Sequence, residues 1–336
     1  MKVHLFNPEN DLALAADTAH FTPPKAARAL HAAGALLPLW WADEGDVVIA
    51  PDDMVAEAYR LCRRYGLRGS VARGIDPSIP CCTLPWGWST DARRQLIDAG
   101  VGKEFLPTDS QLARHRMLSH RRISAKLLEL IGEKPELIPT EARTLQEAMD
   151  AIGRYDGDAY IKLPWSGSGR GVFRTKGMPE GKLKDYITGF IRRQGSLMVE
   201  KTREKEKDFA LLFEATETVV GFRGVSSFIT DPRGAYGGNL VAPQADIIRE
   251  AGVDPRFMAP TLERALSRII GTDYRGWLGV DMMTERVGGR LEIVPCVEVN
   301  LRMTMGVAAL LIREKLPDGA PKALLSLKNG GLEFQQ

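Results

Sequence analysis

Apolar positions along this chain follow two different rhythms, and the change between them divides it. Residues 3–6 (VHLF) form a short apolar run that stops at Asn7-Pro8. Thr22-Pro23-Pro24 opens a helix with a hydroxyl cap and then prolines, whose missing N–H costs nothing in a first turn. Gly34 ends that helix. Residues 46–50 (DVVIA) read as a buried strand, and Asp52 caps a helix whose Met54, Val55, Ala58, Leu61 and Cys62 recur at helical spacing. Ser89-Thr90-Asp91 starts a further helix that runs to Gly100. Strands separated by helices of this length predict a parallel α/β sheet. No Gly-x-Gly-x-x-Gly follows the first strand, so the dinucleotide fingerprint is absent.

Residues 109–131 are helical and basic, carrying Arg114, His115, Arg116, His120, Arg121, Arg122 and Lys126. After Gly132 strand patterns dominate, over 159–163, 171–175, 197–201, 209–215, 219–229, 277–285 and 290–301. Helices intervene near 181–193 and 255–270. The second part is therefore α+β, and the chain divides into an N-terminal α/β unit over 1–110 followed by segments 111–195 and 196–336.

Composition narrows the function classes. The 336 residues include 45 Lys and Arg against 43 Asp and Glu, a net charge of +2. Such balance gives no concentrated basic surface for nucleic acid or for a membrane. The longest apolar run, 32–42, is far short of the about 20 residues of a membrane span, and Gly34 and Pro38 interrupt it. The opening MKVHLFNPENDLALA places a polar cluster where a signal peptide needs an apolar core. Cys62, Cys81, Cys82 and Cys296 show no Cys-x-x-Cys spacing, so a reduced, cytoplasmic protein is expected. All five histidines precede residue 121 without metal-ligand spacing, and no Gly-x-Ser-x-Gly elbow marks a hydrolase.

Three stretches carry candidate chemistry. In the first, Lys162 on a strand precedes Trp165-Ser166-Gly167-Ser168-Gly169-Arg170-Gly171, whose small residues let backbone N–H groups approach phosphate oxygens while Lys162 and Arg170 add positive charge. Taken alone it also reads as a glycine-rich turn beside a solvated lysine. In the second, Met198-Val199-Glu200-Lys201-Thr202 leads through a charged run to Asp208, which reads either as a hinge for an adenine and its ribose or as a surface charge run. In the third, Asp281 lies on one strand, and Glu298, Asn300 and Arg302 share one face of the strand returning after Val287-Gly288-Gly289. Two carboxylates and an amide among Ile293, Val294, Val297 and Val299 are costly to desolvate unless a cation binds them; a solvated Glu298–Arg302 pair is the alternative.

In this order the three stretches resemble the ATP-grasp superfamily, over roughly residues 110 to 315, with Glu298-x-Asn300-x-Arg302 as the most specific piece. The resemblance implies a two-subdomain ATP-grasp fold behind an α/β domain, with ATP and Mg²⁺ as cofactors. It implies that Lys162 reaches the phosphates beneath a cover formed by Ser166, Gly167, Ser168, Gly169, Arg170 and Gly171. Glu200, Lys201 and Thr202 match the adenine hinge, Asp208 the ribose carboxylate, and Asp281, Glu298 and Asn300 the metal ligands. Arg302 matches the arginine on the reacting acid, and Lys162, Arg170 and Arg302 are the implied catalytic set. The family's earlier phosphate-binding lysine has several competitors here, of which Arg121 and Lys126 are chosen.

The activity so implied joins a small-molecule carboxylate to an amine or similar nucleophile through an acyl phosphate. A phosphotransferase and a non-catalytic nucleotide-binding module are the alternatives. For the acceptor, Asn7, Glu9 and Asn10 follow the first strand at its carboxyl end, where open α/β sheets bind ligands, and Glu9 is expected to face the acceptor across from Arg302. Asp11 in the same cluster reads as a helix cap.

Overall fold

The computed structural model describes residues 1–167, 171–230, 236–328 and 331–335. The first strand, β1 (Lys2–Leu5), is followed by helices α1 (Asn10–Ala16) and α2 (Lys25–Gly34). Next come β2 (Val47–Ile49), α3 (Val55–Tyr65), β3 (Ser70–Ala72), β4 (Cys82–Pro85) and α4 (Thr90–Asp98). The four strands pair in the order β3-β2-β1-β4, all parallel, as the alternation of elements predicts. Two helix starts differ from expectation. Pro24, not Thr22, occupies the N-cap of α2, and Asp52 begins a single 3₁₀ turn (Asp52–Met54) instead of capping α3. Ser89 does cap α4, its hydroxyl accepting from the Ala92 N–H at 3.1 Å.

The basic helical stretch is broken in two, α5 (Asp109–Leu118) and α6 (Arg122–Leu130). At the break the Arg121 N–H leaves the helix ladder and donates to the carbonyl of Pro164 at 3.1 Å, while the His120 ring accepts from the Arg122 N–H at 3.0 Å. A second sheet follows, with β5 (Thr140–Ala142), α7 (Leu145–Gly153), β6 (Ala159–Lys162), β7 (Val172–Arg174), α8 (Glu180–Gln194) and β8 (Leu197–Lys201). It is antiparallel in the order β5-β8-β6-β7, and Ile161, Leu197 and Val199 bury one face against Ala148 and Ile187 of its helices.

The third sheet begins with β9 (Lys205–Ala215), β10 (Val220–Thr230) and β11 (Tyr236–Val241). After α9 (Gln244–Ala251) and α10 (Ala259–Ile270) it resumes with β12 (Gly276–Val287) and β13 (Arg290–Asn300). Then α11 (Met305–Lys315) leads to β14 (Ala323–Lys328) and β15 (Gly331–Gln335). The order is β13-β12-β9-β10-β11-β14-β15. Alternation along its strands divides two cores. Phe209, Leu211, Phe213, Leu278 and Val280 pack on α6, α9 and α10. On the opposite face Ala210 and Leu212 pack on α11 together with Phe6, Trp40 and Trp86 of the leading unit, which ties that unit to the third sheet. Among the described residues no helix is long and apolar enough to cross a membrane.

Candidate active site

The second and third sheets face one another across a cleft of about 290 Å³, at the lower edge of small-molecule pocket sizes. One wall comes from β6, β7 and β8 through Tyr160, Lys162, Val172, Glu200 and Lys201; the other comes from β9, β12 and β13. Leu128, Met282 and Val294 supply apolar surface between them.

The register of the third sheet assembles the acidic floor. Asp281 pairs with Glu298 on one side and Ala210 on the other, Gly279 pairs with Asn300, and Met283 pairs with Asp208. Directly paired residues share a face, so these carboxylates and the amide point the same way. Between Asp281 and Met283 the register slips, and Met283 opposes Val294. Pro295, which has no N–H to give a ladder, lies in the resulting bulge, a device that re-aims side chains beside a site. Asn300 Nδ2 donates to Asp281 Oδ2 at 2.9 Å. Burial, followed by the neighbouring Glu298 charge, pushes the Asp281 carboxyl up to about 7, against the opposing pull of Arg302 and of the Asn300 bond.

The opposite wall holds the cations. Lys162 is buried at 7 % exposure and ion-paired to Glu200. The break between α5 and α6 aims Arg121 into the cleft. There its guanidinium contacts Glu298 at 3.0 Å and donates to the Ser166 carbonyl at 3.1 Å and hydroxyl at 3.2 Å. Lys126 is exposed on α6 and does not line the cleft, so of the two candidates only Arg121 is placed there. Lys201 and Asp208 line the rim, where Lys205 approaches Asp208 at 2.6 Å. Thr202 does not line it; its hydroxyl donates to the Asp158 carbonyl at 3.2 Å. Of the glycine-rich stretch, Ser166, Gly167 and Gly171 are placed, whereas Ser168, Gly169 and Arg170 lie outside the described residues. Gly171 closes the turn at φ +69°, and its carbonyl accepts from the Leu163 N–H at 2.9 Å.

The N-terminal cluster departs most from expectation. Asn7 is buried and exchanges two hydrogen bonds with Gly87, at 2.9 and 3.2 Å, which pins the loop after β4. Glu9 is also buried, but against His31 Nδ1 at 3.0 Å and away from the cleft. Asn10 is buried too, and in the orientation that satisfies its amide it donates to the Gly87 carbonyl at 3.0 Å and to Ser89 Oγ at 3.2 Å. The carboxylate that faces Arg302 is Asp11, one helical step beyond the expected residues. Arg302 donates from Nε to Asp11 Oδ1 at 3.0 Å and from Nη2 to Oδ2 at 2.7 Å, a bidentate clasp across 291 residues of chain. Burial pulls the Arg302 guanidinium toward neutrality, but the Asp11 charge beside it outweighs that and holds it protonated. No local pattern distinguished Asp11 from a cap, because its partner is set only by how the leading unit seats on the third sheet. Cys296, a buried thiol that burial pushes above its ordinary range, also lines the cleft without a sequence signal.

Among the described residues no three His, Cys, Asp or Glu side chains converge as a self-sufficient metal cage. The floor instead offers two carboxylates and an amide oxygen. That set suits a hard divalent ion that completes its shell with phosphate and water oxygens, not zinc. The crowding that raises the Asp281 carboxyl is what a cation would relieve.

No protein-family model and no curated protein matches the chain. Solved structures do. Phosphoribosylamine–glycine ligase of Thermotoga maritima aligns over 92 % of this chain and 71 % of its own, at 14 % identity and a TM-score of 0.53. Biotin carboxylase of Campylobacter jejuni, solved with a β,γ-ATP ligand, aligns over 96 % and 74 %, at 12 % identity and 0.53. The biotin carboxylase domain of the Hydrogenobacter thermophilus 2-oxoglutarate carboxylase, solved with MgADP, ADP and bicarbonate, aligns over 94 % and 69 %, at 13 % identity and 0.52.

Proposed function

Because the chain has the ATP-grasp fold, we propose that it is a ligase that binds ATP in the cleft, activates a small carboxylate as an acyl phosphate and delivers it to an amine. One observation carries this reading. Two largely buried cations, Lys162 and Arg121, and the carboxylates of Asp281 and Glu298, with Asn300 on the same sheet face, meet at a cleft that also presents apolar surface from Leu128, Met282 and Val294. A nucleotide triphosphate needs those three surfaces together.

Leu128, Met282 and Val294 give a flat base an apolar seat at β8, and Asp208 takes the ribose hydroxyls at the rim. Lys162 and Arg121 hold phosphate oxygens, each leaving its present carboxylate to do so. Asp281, Glu298 and the Asn300 oxygen would hold Mg²⁺, which when bound neutralises the charge on the transferring phosphoryl group. Ser166 and Gly167, beside Arg121 and Asp11, help to exclude water from the activated acid. An oxygen of the substrate carboxylate then attacks the γ-phosphorus, and the bond to the β–γ bridging oxygen breaks to leave ADP. The amine nitrogen attacks the acyl carbon, the carbon–oxygen bond to phosphate breaks, and the amine sheds a proton. The chain itself need supply no covalent nucleophile.

The test is a screen for phosphate release from ATP with pooled carboxylates and amines. ADP and phosphate formed only when both are present support the ligase. ADP without phosphate would make it a phosphotransferase, and nucleotide binding without turnover a binding module.

A further inference from the structure

The bidentate Nε/Nη2 edge of Arg302 is already occupied. Its Nε and Nη2 are taken by the two Asp11 oxygens, and Nη1 donates to the Met303 carbonyl at 3.2 Å. The space around the pair, bounded by Asn10, Ser166, Glu298 and Asn300, is only about 10 Å³, room for roughly one water. The Gly167 main chain closes over it; a Cβ there would lie 2.6 Å from Asp11 Oδ2. An acid that reaches Arg302 therefore cannot be added beside Asp11. It has to replace it.

We propose that Asp11 determines which acids the site accepts, and that the ligand of Arg302 is a zwitterion of amino-acid type whose carboxylate takes Arg302 while its ammonium group takes Asp11. The proposal rests on the ligase reading of the cleft and names the class of its acid. A simple carboxylate gains at Arg302 only the fork it breaks. It competes with a carboxylate tethered in place, whose effective concentration is high. It also strands Asp11, 82 % out of water, beside Glu298 with no cation of its own. A ligand with an ammonium group next to its carboxylate exchanges one internal pair for two new ones and strands nothing. Specificity arises from what a wrong ligand leaves unpaired.

Calorimetric titration of the full chain with amino acids, each against its deaminated counterpart (glycine against acetate, alanine against propionate), with and without MgADP, tests this. At least one amino acid should bind tenfold or more tightly than its counterpart. Asp11→Asn should shrink that gap below threefold, and Asp11→Glu should keep most of it. Equal binding of both classes by the natural chain, an unchanged gap in folded Asp11→Asn, or no amino acid bound in either condition would each overturn the proposal. If Asp11→Asn does not fold, the natural chain and Asp11→Glu decide. MgADP is titrated separately: discrimination between the two classes in a protein that binds no MgADP would refute the nucleotide reading and leave Asp11 in its role.

Discussion

Glu298→Gln separates a metal ligand from a structural ion pair, because the two predict opposite signatures. The carboxylate lies 3.0 Å from Arg121, whose side chain is 7 % exposed, so a purely structural pair would make its loss costly. Glutamine keeps an oxygen for the guanidinium and gives up only the charge, a cost of about 1–1.5 kcal/mol. Against that, it removes the like charge that helps push Asp281 up to about 7, a relief of about 1 kcal/mol. The net change in stability is within about 1 kcal/mol, or roughly 1.5 °C in Tm for a chain of this size. Binding should behave otherwise. ADP titrated calorimetrically with Mg²⁺ and again with EDTA gives the affinity gained from the metal. In Glu298→Gln that gain should fall at least about tenfold, near 1.4 kcal/mol, while affinity in EDTA holds or improves. A metal-dependent gain equal to that of the natural chain, with a Tm lowered by about 4 °C or more, would refute the reasoning and make Glu298 a structural partner of Arg121.

Asp208→Ala removes the carboxylate at the cleft rim; ADP binding should weaken about three- to thirtyfold by titration in Mg²⁺ and in EDTA alike, and equal affinity would return Asp208 to the surface charge run. Glu9→Gln should lower stability by about 1 kcal/mol in urea unfolding, through the His31 contact, and leave acceptor-dependent phosphate release alone; impaired release in a stably folded variant that still binds ADP would put Glu9 back in the site. Gly167→Ala forces its methyl group against Asp11 Oδ2 and should cost about 1–2 kcal/mol, a loss that disappears in an Asp11→Ala background if the contact is the cause.

The elements whose pattern was visible are those with one wet face or one uniform environment. β10, β12 and β13 carry alternating stretches where one face meets α6, α9 and α10, β9 reads as a continuous apolar run because both of its faces are covered, and the hairpin after residue 287 is marked by two glycines. α11 escaped because it has no polar stripe. Gly306, Val307, Ala308, Ala309, Leu310 and Ile312 are all buried between the sheet and the leading unit, so its periodicity is masked by burial on nearly every side. β3, β5 and β11 are too short, or too rich in glycine, for a two-residue period to register. The candidate floor was legible because the spacing of Glu298, Asn300 and Arg302 is a property of one strand. Asp11 was not, because its meeting with Arg302 depends on how two distant parts of the chain pack.

Each of the three cations at the heart of the site meets a carboxylate of the chain itself: Lys162 meets Glu200, Arg121 meets Glu298, and Arg302 meets Asp11. Arranged this way none of the three cations is left bare, which lets them sit largely out of water in a folded chain. It also couples the ligands to one another. Phosphate oxygens can take Arg121 only if something else satisfies Glu298, and a divalent cation arriving with the phosphates does so at the same moment. An acid can take Arg302 only if something else satisfies Asp11, and a neighbouring ammonium group does that. By the same logic, nucleotide without metal and acid without a cationic partner are both poor ligands, for one electrostatic reason. Asp281, whose partner at 2.9 Å is the neutral Asn300 amide, is the carboxylate that this pairing leaves in surplus, and it lies on the face proposed to hold the metal.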